Sequence, residues 1–183
     1  MKSKRFWLLP AAAFVLFLSS CSKTPENGTN VYLQWKLLND SSFIKMKDST
    51  AYKHYIIPAE KGGSSFYYKI NTPGDSSSVS PLETDIIVAN YRGRFMNGYI
   101  FEQSFIGNNP KKDSTALPFR AITNRLIKGF TENLMLMKVG EYRTIVIPQE
   151  LAYGANGSAI IPPYSTLKFD IELISVKKKL IKL

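Results

Sequence analysis

Leu151-Ala152-Tyr153-Gly154, followed after a small-residue loop by Ile160-Ile161-Pro162-Pro163-Tyr164-Ser165-Thr166-Leu167-Lys168-Phe169-Asp170-Ile171-Glu172-Leu173, is the stretch that decides the fold. A tyrosine opens a glycine-bearing loop, and two isoleucines and a double proline close it. Leu167, Phe169, Ile171 and Leu173 then alternate with Lys168, Asp170 and Glu172. That period of two marks a strand with one buried and one wet face. Working back along the chain, Glu141–Ile147, Asp85–Phe95 and Ser65–Ile70 also read as strands. Asn97-Gly98 predicts a tight hairpin, because both residues tolerate positive φ, with Tyr99–Ser104 as the return strand. One helix is predicted near residues 127–138. Phe130, Leu134 and Met137 share a face there, and Gly140 suits a left-handed cap. Antiparallel strands whose apolar face only this helix can cover make an α+β class.

The chain has 183 residues, enough for one domain plus appendages, and its 44% apolar and 21% charged residues exclude global disorder. The N-terminus stands apart. Lys2, Lys4 and Arg5 precede an apolar run from Phe6 to Leu18 that Pro10 interrupts. A membrane span needs about 20 apolar residues, so the run predicts a cleaved signal peptide over 1–20. Leu18-Ser19-Ser20-Cys21 resembles the bacterial lipobox, whose cysteine is lipidated and becomes the mature N-terminus. Cys21 is the sole cysteine, so no disulfide can form within the chain. Residues 21–30 then read as a lipidated tether. Residues 31–63 read as an arm, with a short helix capped at Asn39 or Asp40 and carrying Phe43, Lys47, Tyr52 and Tyr55 near one face. The expected location is the bacterial cell envelope, as a periplasmic or outer-membrane lipoprotein.

The formal net charge is +10, of which the signal segment holds three. The export signal, and the lack of any nucleic-acid-binding signature, argue against a nucleic-acid partner and leave anionic envelope surfaces. Lys177-Lys178-Lys179 with Lys182 reads as a solvated basic tail over 178–183. His54 is the sole histidine, so neither a metal site nor a histidine triad can be assembled, and no cofactor is expected.

Val88-Ala89-Asn90-Tyr91-Arg92-Gly93, Asn97–Ser104, Leu126-Ile127-Lys128-Gly129-Phe130, Val139-Gly140-Glu141 and the opening stretch occur in the order and rough spacing of the FKBP-type peptidyl-prolyl isomerases. The resemblance covers residues 64–177. It implies a strongly curved antiparallel sheet wrapped around one short helix, and catalysis of X-Pro isomerisation in exported proteins. Some relatives dimerise through an N-terminal helical arm; here the arm is short and is expected to pack on its own domain.

The chemistry demands little of such a site. An X-Pro amide rotates over a barrier of about 18–20 kcal/mol because its C–N bond is partly double. A catalyst need only bind the twisted amide better than the planar forms. An apolar aromatic pocket does this by gripping the proline ring and excluding the water that favours the planar amide. The resemblance makes Phe130 the pocket floor and Tyr91, Phe101, Phe169 and Phe119 its walls. Leu126, Ile127, Ile160 and Ile161 line it or its rim. Tyr153 offers a hydroxyl, and the Ile127 N–H a second donor, to substrate carbonyls. Glu102 stands where the family usually has aspartate, and Phe130 where many relatives have tryptophan. The loop after Tyr153 is one residue short. These are the places where substrate preference, and binding of the family's macrolide inhibitors, are expected to differ. Two alternatives to the enzyme stand beside it: a non-catalytic chaperone or docking module using the same groove, and a purely structural lipoprotein.

Overall fold

The structure, a computed structural model, describes residues 27–111 and 118–178, with side chains from Val31 onward. The expected signal peptide, the lipidation site Cys21, the first part of the tether and tail residues 179–183 lie outside the described residues. Seven strands form one antiparallel sheet: β1 (Lys53–Ile56), β2 (Ser65–Thr72), β3 (Ile86–Phe95), β4 (Ile100–Gln103), β5 (Phe119–Ile122), β6 (Tyr142–Ile147) and β7 (Leu167–Lys177). The order is β1-β2-β6-β7-β3-β4, with β5 pairing β3 as well. β7 lies between β6 and β3, so Phe169 stands opposite Ile145 on one side and Gly93 on the other. Bulges at Ile70/Thr72, Val88/Ala89 and Gly93/Arg94 break the registers. Each adds local twist and bends its strand.

The sheet curls because its apolar face has one helix to close on. That helix is α2 (Lys128–Leu134). Phe66, Ile87, Ile145, Ile147, Leu167, Ile171 and Leu173 meet Leu134 and Met137 in a core closed to solvent. Each such side chain contributes about 1.5–3 kcal/mol relative to exposure. Gly129 lets α2 lie flat on β6, since a Cβ there would run into the Ile147 side chain. α2 is shorter than predicted. Beyond Leu134 the chain continues in i→i+3 bonds, Leu136 N–H to Asn133 and Met137 N–H to Leu134, which keep Met137 on the same buried face. Gly140 then turns with φ 78°.

The wet face expected of β7 is not wet at Asp170, which is 5% exposed. Its carboxylate accepts from Arg94 at 2.5 Å and from the Thr144 hydroxyl at 2.7 Å. A buried charge is tolerated when paired and hydrogen-bonded in this way. Lys178, assigned to a solvated tail, instead reaches buried Asp85 at 2.7 Å.

The arm differs most from expectation. α1 runs from Asn27 to Ile44, beginning inside the segment read as tether. Asn39 is not a cap but sits mid-helix and buried, its Oδ1 accepting from the Thr166 N–H at 2.8 Å. Trp35 packs edge-on against Phe95, and its Nε1 donates to Ser165 Oγ at 3.0 Å; Phe43 meets Tyr67. Its apolar residues are scattered around the helix among Gln34, Lys36, Asn39, Asp40, Ser41 and Ser42, so it gives no clean periodic signal. After a 3₁₀ turn the chain enters β1, which pairs with β2, and His54 stacks on Tyr67 with centroids 4.6 Å apart. No helix among the described residues is long and apolar enough to cross a membrane.

Candidate functional site

The curl of the sheet leaves a cavity of about 320 Å³ where β3, β4, β5 and β7 face the start of α2. It is lined by Tyr91, Glu102, Phe119, Arg125, Leu126, Ile127, Phe130, Tyr153 and Phe169. Strand alternation explains much of this. Tyr91 and Phe169 point inward from neighbouring strands, and Phe130 rises from the first turn of α2 between them. The rings meet at near right angles: Phe130 with Phe169 at 5.2 Å and 85°, Tyr91 with Phe130 at 6.1 Å and 86°, Tyr91 with Phe119 at 5.0 Å and 75°. Edge-to-face pairs of this kind are worth about 0.5–1.5 kcal/mol each beyond the area they bury. They also fix the shape of the cavity.

Three of the expected residues, Phe101, Ile160 and Ile161, lie outside the cavity lining. Phe101 does not line the cavity; it backs Phe169 edge-on at 5.7 Å and lies across Gly93, where a Cβ would collide with both rings. Glycine in mid-strand marks that close approach. Ile160, expected near the rim, is 59% exposed and turned away. The turn explains it. Ser158 N–H donates to Ile161 O at 2.8 Å, and Ile161 N–H to Ser158 Oγ at 3.2 Å, so Ile161 folds into the core and Ile160 outward. Ile161 therefore supports the loop from within, at 2% exposure.

Tyr153 is held at the mouth by its own loop. Gly157 N–H bonds back to Tyr153 O, and Tyr164 N–H to Gly154 O, closing both ends. Tyr164 takes a left-handed φ of 63°, unusual for a residue with a Cβ. From the far side α1 braces the same segment, because Ser165, which holds Pro162 O at 2.7 Å, accepts from Trp35. A run of touching rings, Trp35–Phe95–Phe101–Phe169, continues from α1 to the cavity wall.

The polar groups are few. The Tyr91 hydroxyl donates to Glu102. Burial, and then that bond, push its pKa well above the ordinary phenol value. Burial also raises Tyr153, with the Glu102 charge adding to it. Both phenols are therefore donors throughout the neutral range. Ile127 sits at the N-terminus of α2, where first-turn N–H groups have no intrahelical acceptor. Arg125 lines the cavity and was absent from the sequence reading; no motif singles out an arginine in an irregular turn. Among the described residues no cluster of His, Cys, Asp or Glu could hold a metal ion.

The FKBP-type peptidyl-prolyl cis-trans isomerase family model matches residues 77–174, which include seven of the nine cavity residues in β3, β4, β5, α2 and the turn before it, and also Tyr153 and Phe169. The chain is 41% identical over 103 residues to the macrophage infectivity potentiator of Trypanosoma cruzi, across 56% of this chain and 48% of that protein. It is 42% identical over 98 residues to the isomerase FkpA of Escherichia coli K12, across 54% of this chain and 33% of that protein. The chain thus spans half or less of the length of these curated relatives. A crystal structure of a peptidyl-prolyl cis-trans isomerase from Pseudomonas syringae pv. tomato superposes with a TM-score of 0.64 at 26% identity, covering 82% of this chain and 96% of that one. With its matched region spanning more than half of its length and enclosing the cavity, the chain belongs to the FKBP-type peptidyl-prolyl cis-trans isomerase family.

Proposed function

We propose that the chain catalyses cis-trans isomerisation of X-Pro bonds in exported proteins, from a lipid anchor on the cell envelope. The observation that carries the catalytic reading is the aromatic cavity itself. It is narrow and lined by ring edges and faces, with a free phenol at its mouth. A proline ring entering it would contact Phe130 beneath and Tyr91 and Phe169 at the sides. Loss of water from the amide raises the planar, charge-separated forms relative to the twisted one. Tyr153 would donate to a substrate carbonyl and the Ile127 N–H to another, fixing the peptide on both sides of the rotating bond. Tyr91, committed to Glu102, keeps that carboxylate satisfied beside an otherwise apolar wall. No bond to the enzyme forms and no proton need leave it.

The test is exchange of a short X-Pro peptide with the purified chain. Tyr153→Phe should lower kcat/KM about fivefold to tenfold, the worth of one hydrogen bond at the transition state. Phe101→Ala should lower it by loosening Phe169. No acceleration by the unmutated chain would refute the enzyme reading in favour of a non-catalytic docking module. The pH profile is part of the same assay. Both phenols have raised pKa values, so their protonated forms stabilise the fold below the unfolded phenol pKa of about 10. That contribution is lost only as pH climbs through the higher folded values. Rates should therefore be flat between about pH 6 and 9. A fall within that window would mean that another group titrates in the site.

The anchor is supported by the lone cysteine at the end of the apolar run and by α1 starting only a few residues later. Two or more acyl chains suffice for stable attachment where one is marginal. Cys21→Ala should move the protein from the membrane fraction to the soluble one. Unchanged fractionation would remove the lipid from the proposal.

A further inference from the structure

The proposed isomerisation leaves one charged group at the cavity unused. Arg125 is exposed and lines the proline cavity, yet none of the five ion pairs among the described residues includes it. It also lines a second cavity of about 250 Å³, with Thr84, Ile122 and Asn124. The two cavities share the arginine and adjoin there. No carboxylate lines the second one. Its polar side chains are a hydroxyl, a carboxamide and a guanidinium, a set rich in N–H and O–H donors. Asn124 also lines a third cavity, where the carboxylates of Glu83 and Glu132 have Lys61 and Lys128 beside them.

The turn that carries Arg125 is pinned. Thr123 is closed to solvent; its N–H and its hydroxyl both donate to Asp85 O at 3.0 Å. Asn124 N–H donates to Glu83 O at 2.9 Å, and the Thr131 hydroxyl of α2 donates to Thr123 O at 2.7 Å. The backbone position of the guanidinium is thus set before any ligand arrives. Only the side chain need order itself. Because Arg125 lines both cavities, a residue flanking a proline seated on Phe130, about 3.3–3.6 Å along the peptide, can meet its guanidinium.

We infer that Thr84, Asn124 and Arg125 form a subsite for an acidic side chain flanking the substrate proline, so that Asp- or Glu-bearing X-Pro segments are the preferred substrates. The inference rests on the isomerase reading of the neighbouring cavity. A guanidinium at an apolar rim pairs a carboxylate through two parallel hydrogen bonds, and a lysine side chain in the same place meets only repulsion.

The experiment uses two neutral-capped peptide series, acetyl-Ala-Xaa-Pro-Phe-amide and acetyl-Ala-Ala-Pro-Xaa-amide, with Xaa as Glu, Gln or Lys. NMR exchange gives kcat/KM and chemical-shift titration gives Kd on the same samples. Glu should exceed Lys by about fivefold or more in one series, and the ratio should shrink in about 0.5 M salt. Arg125→Gln should bring the ratio close to one, Arg125→Lys should retain part of it, and Arg125→Glu should invert it, whatever happens to the absolute rates. Equal Glu and Lys values in both series, or a ratio that survives Arg125→Gln, would overturn the subsite. Absence of exchange with any peptide would overturn the isomerase reading alone, because the charge preference is then still read in Kd.

Discussion

Phe169→Ala is expected to cost about 3–5 kcal/mol of stability and to abolish measurable isomerisation. Phe169 is 5% exposed on the strand between β6 and β3, and its ring touches three others: Phe130 at 5.2 Å, Phe101 at 5.7 Å and Tyr91 at 6.4 Å. Truncation leaves a void with rings on three sides, and those rings are held by β3, β4 and α2, which cannot move together to fill it. The cavity wall would then open into the core, and a proline ring would lose its lateral contact. Loss of activity in a destabilised variant is ambiguous by itself. Phe169→Leu separates the two effects. Leucine replaces most of the volume, so its stability should stay within about 1.5 kcal/mol of the parent. Its kcat/KM should still fall by about tenfold or more, because the flat face presented to substrate is gone. Urea unfolding, compared at equal m, reads the first quantity; peptide exchange reads the second. A leucine variant of parental activity would show that Phe169 is core and that the wall is elsewhere.

The same ring shows how far the sequence could be read. Its inward direction followed from the alternation of Leu167, Phe169 and Ile171, which any half-buried strand would show. Its neighbours did not follow from local pattern. Tyr91 and Phe130 reach it through sheet pairing and helix docking across long separations, and only their resemblance to a family gathered them in advance. The Asn97-Gly98 hairpin was legible because turn chemistry is local; Gly98 has φ 91°. β1 and β5 were missed because each has four residues and exists through its pairing, to β2 and β3, rather than through its own pattern. α1 was misplaced for the opposite reason. Leu33, Leu37, Leu38 and Ile44 remain exposed while Trp35, Asn39 and Phe43 face the domain, so hydrophobicity did not mark the docked face. Polar residues misled most. Asp170 sat in a wet register and proved buried, and Arg125 had no pattern at all.

Arg143 is a second buried polar residue, sharing the core face of β6 with Ile145 and Ile147, and removing it should be among the most destabilising changes in the chain. It lies on β6 at 2% exposure. Its Nε donates to Glu141 at 2.5 Å, Nη1 to Asn133 Oδ1 at 3.0 Å and Nη2 to Leu136 O at 3.2 Å, and its plane lies over Tyr68 at 4.5 Å. The acceptors belong to the end of α2 and the turn after it, so one guanidinium fastens the helix to the sheet. Glu141, 3% exposed, also accepts from the Lys138 N–H at 3.1 Å. Arg143→Met keeps the length but strands the Glu141 carboxylate in the core, and should cost about 3–5 kcal/mol. Most of that is the desolvated charge left behind, not the worth of the pair. The double variant Arg143→Met with Glu141→Gln should therefore recover a large part of the loss. The pair should also resist about 1 M salt better than the half-exposed Lys36–Asp40 pair on α1. A loss under about 1 kcal/mol in the single variant would mean that water or a shifted side chain already satisfies Glu141. The helix would then be held to the sheet by apolar packing alone, with Phe130 positioned from Leu134 and Met137 rather than from this guanidinium.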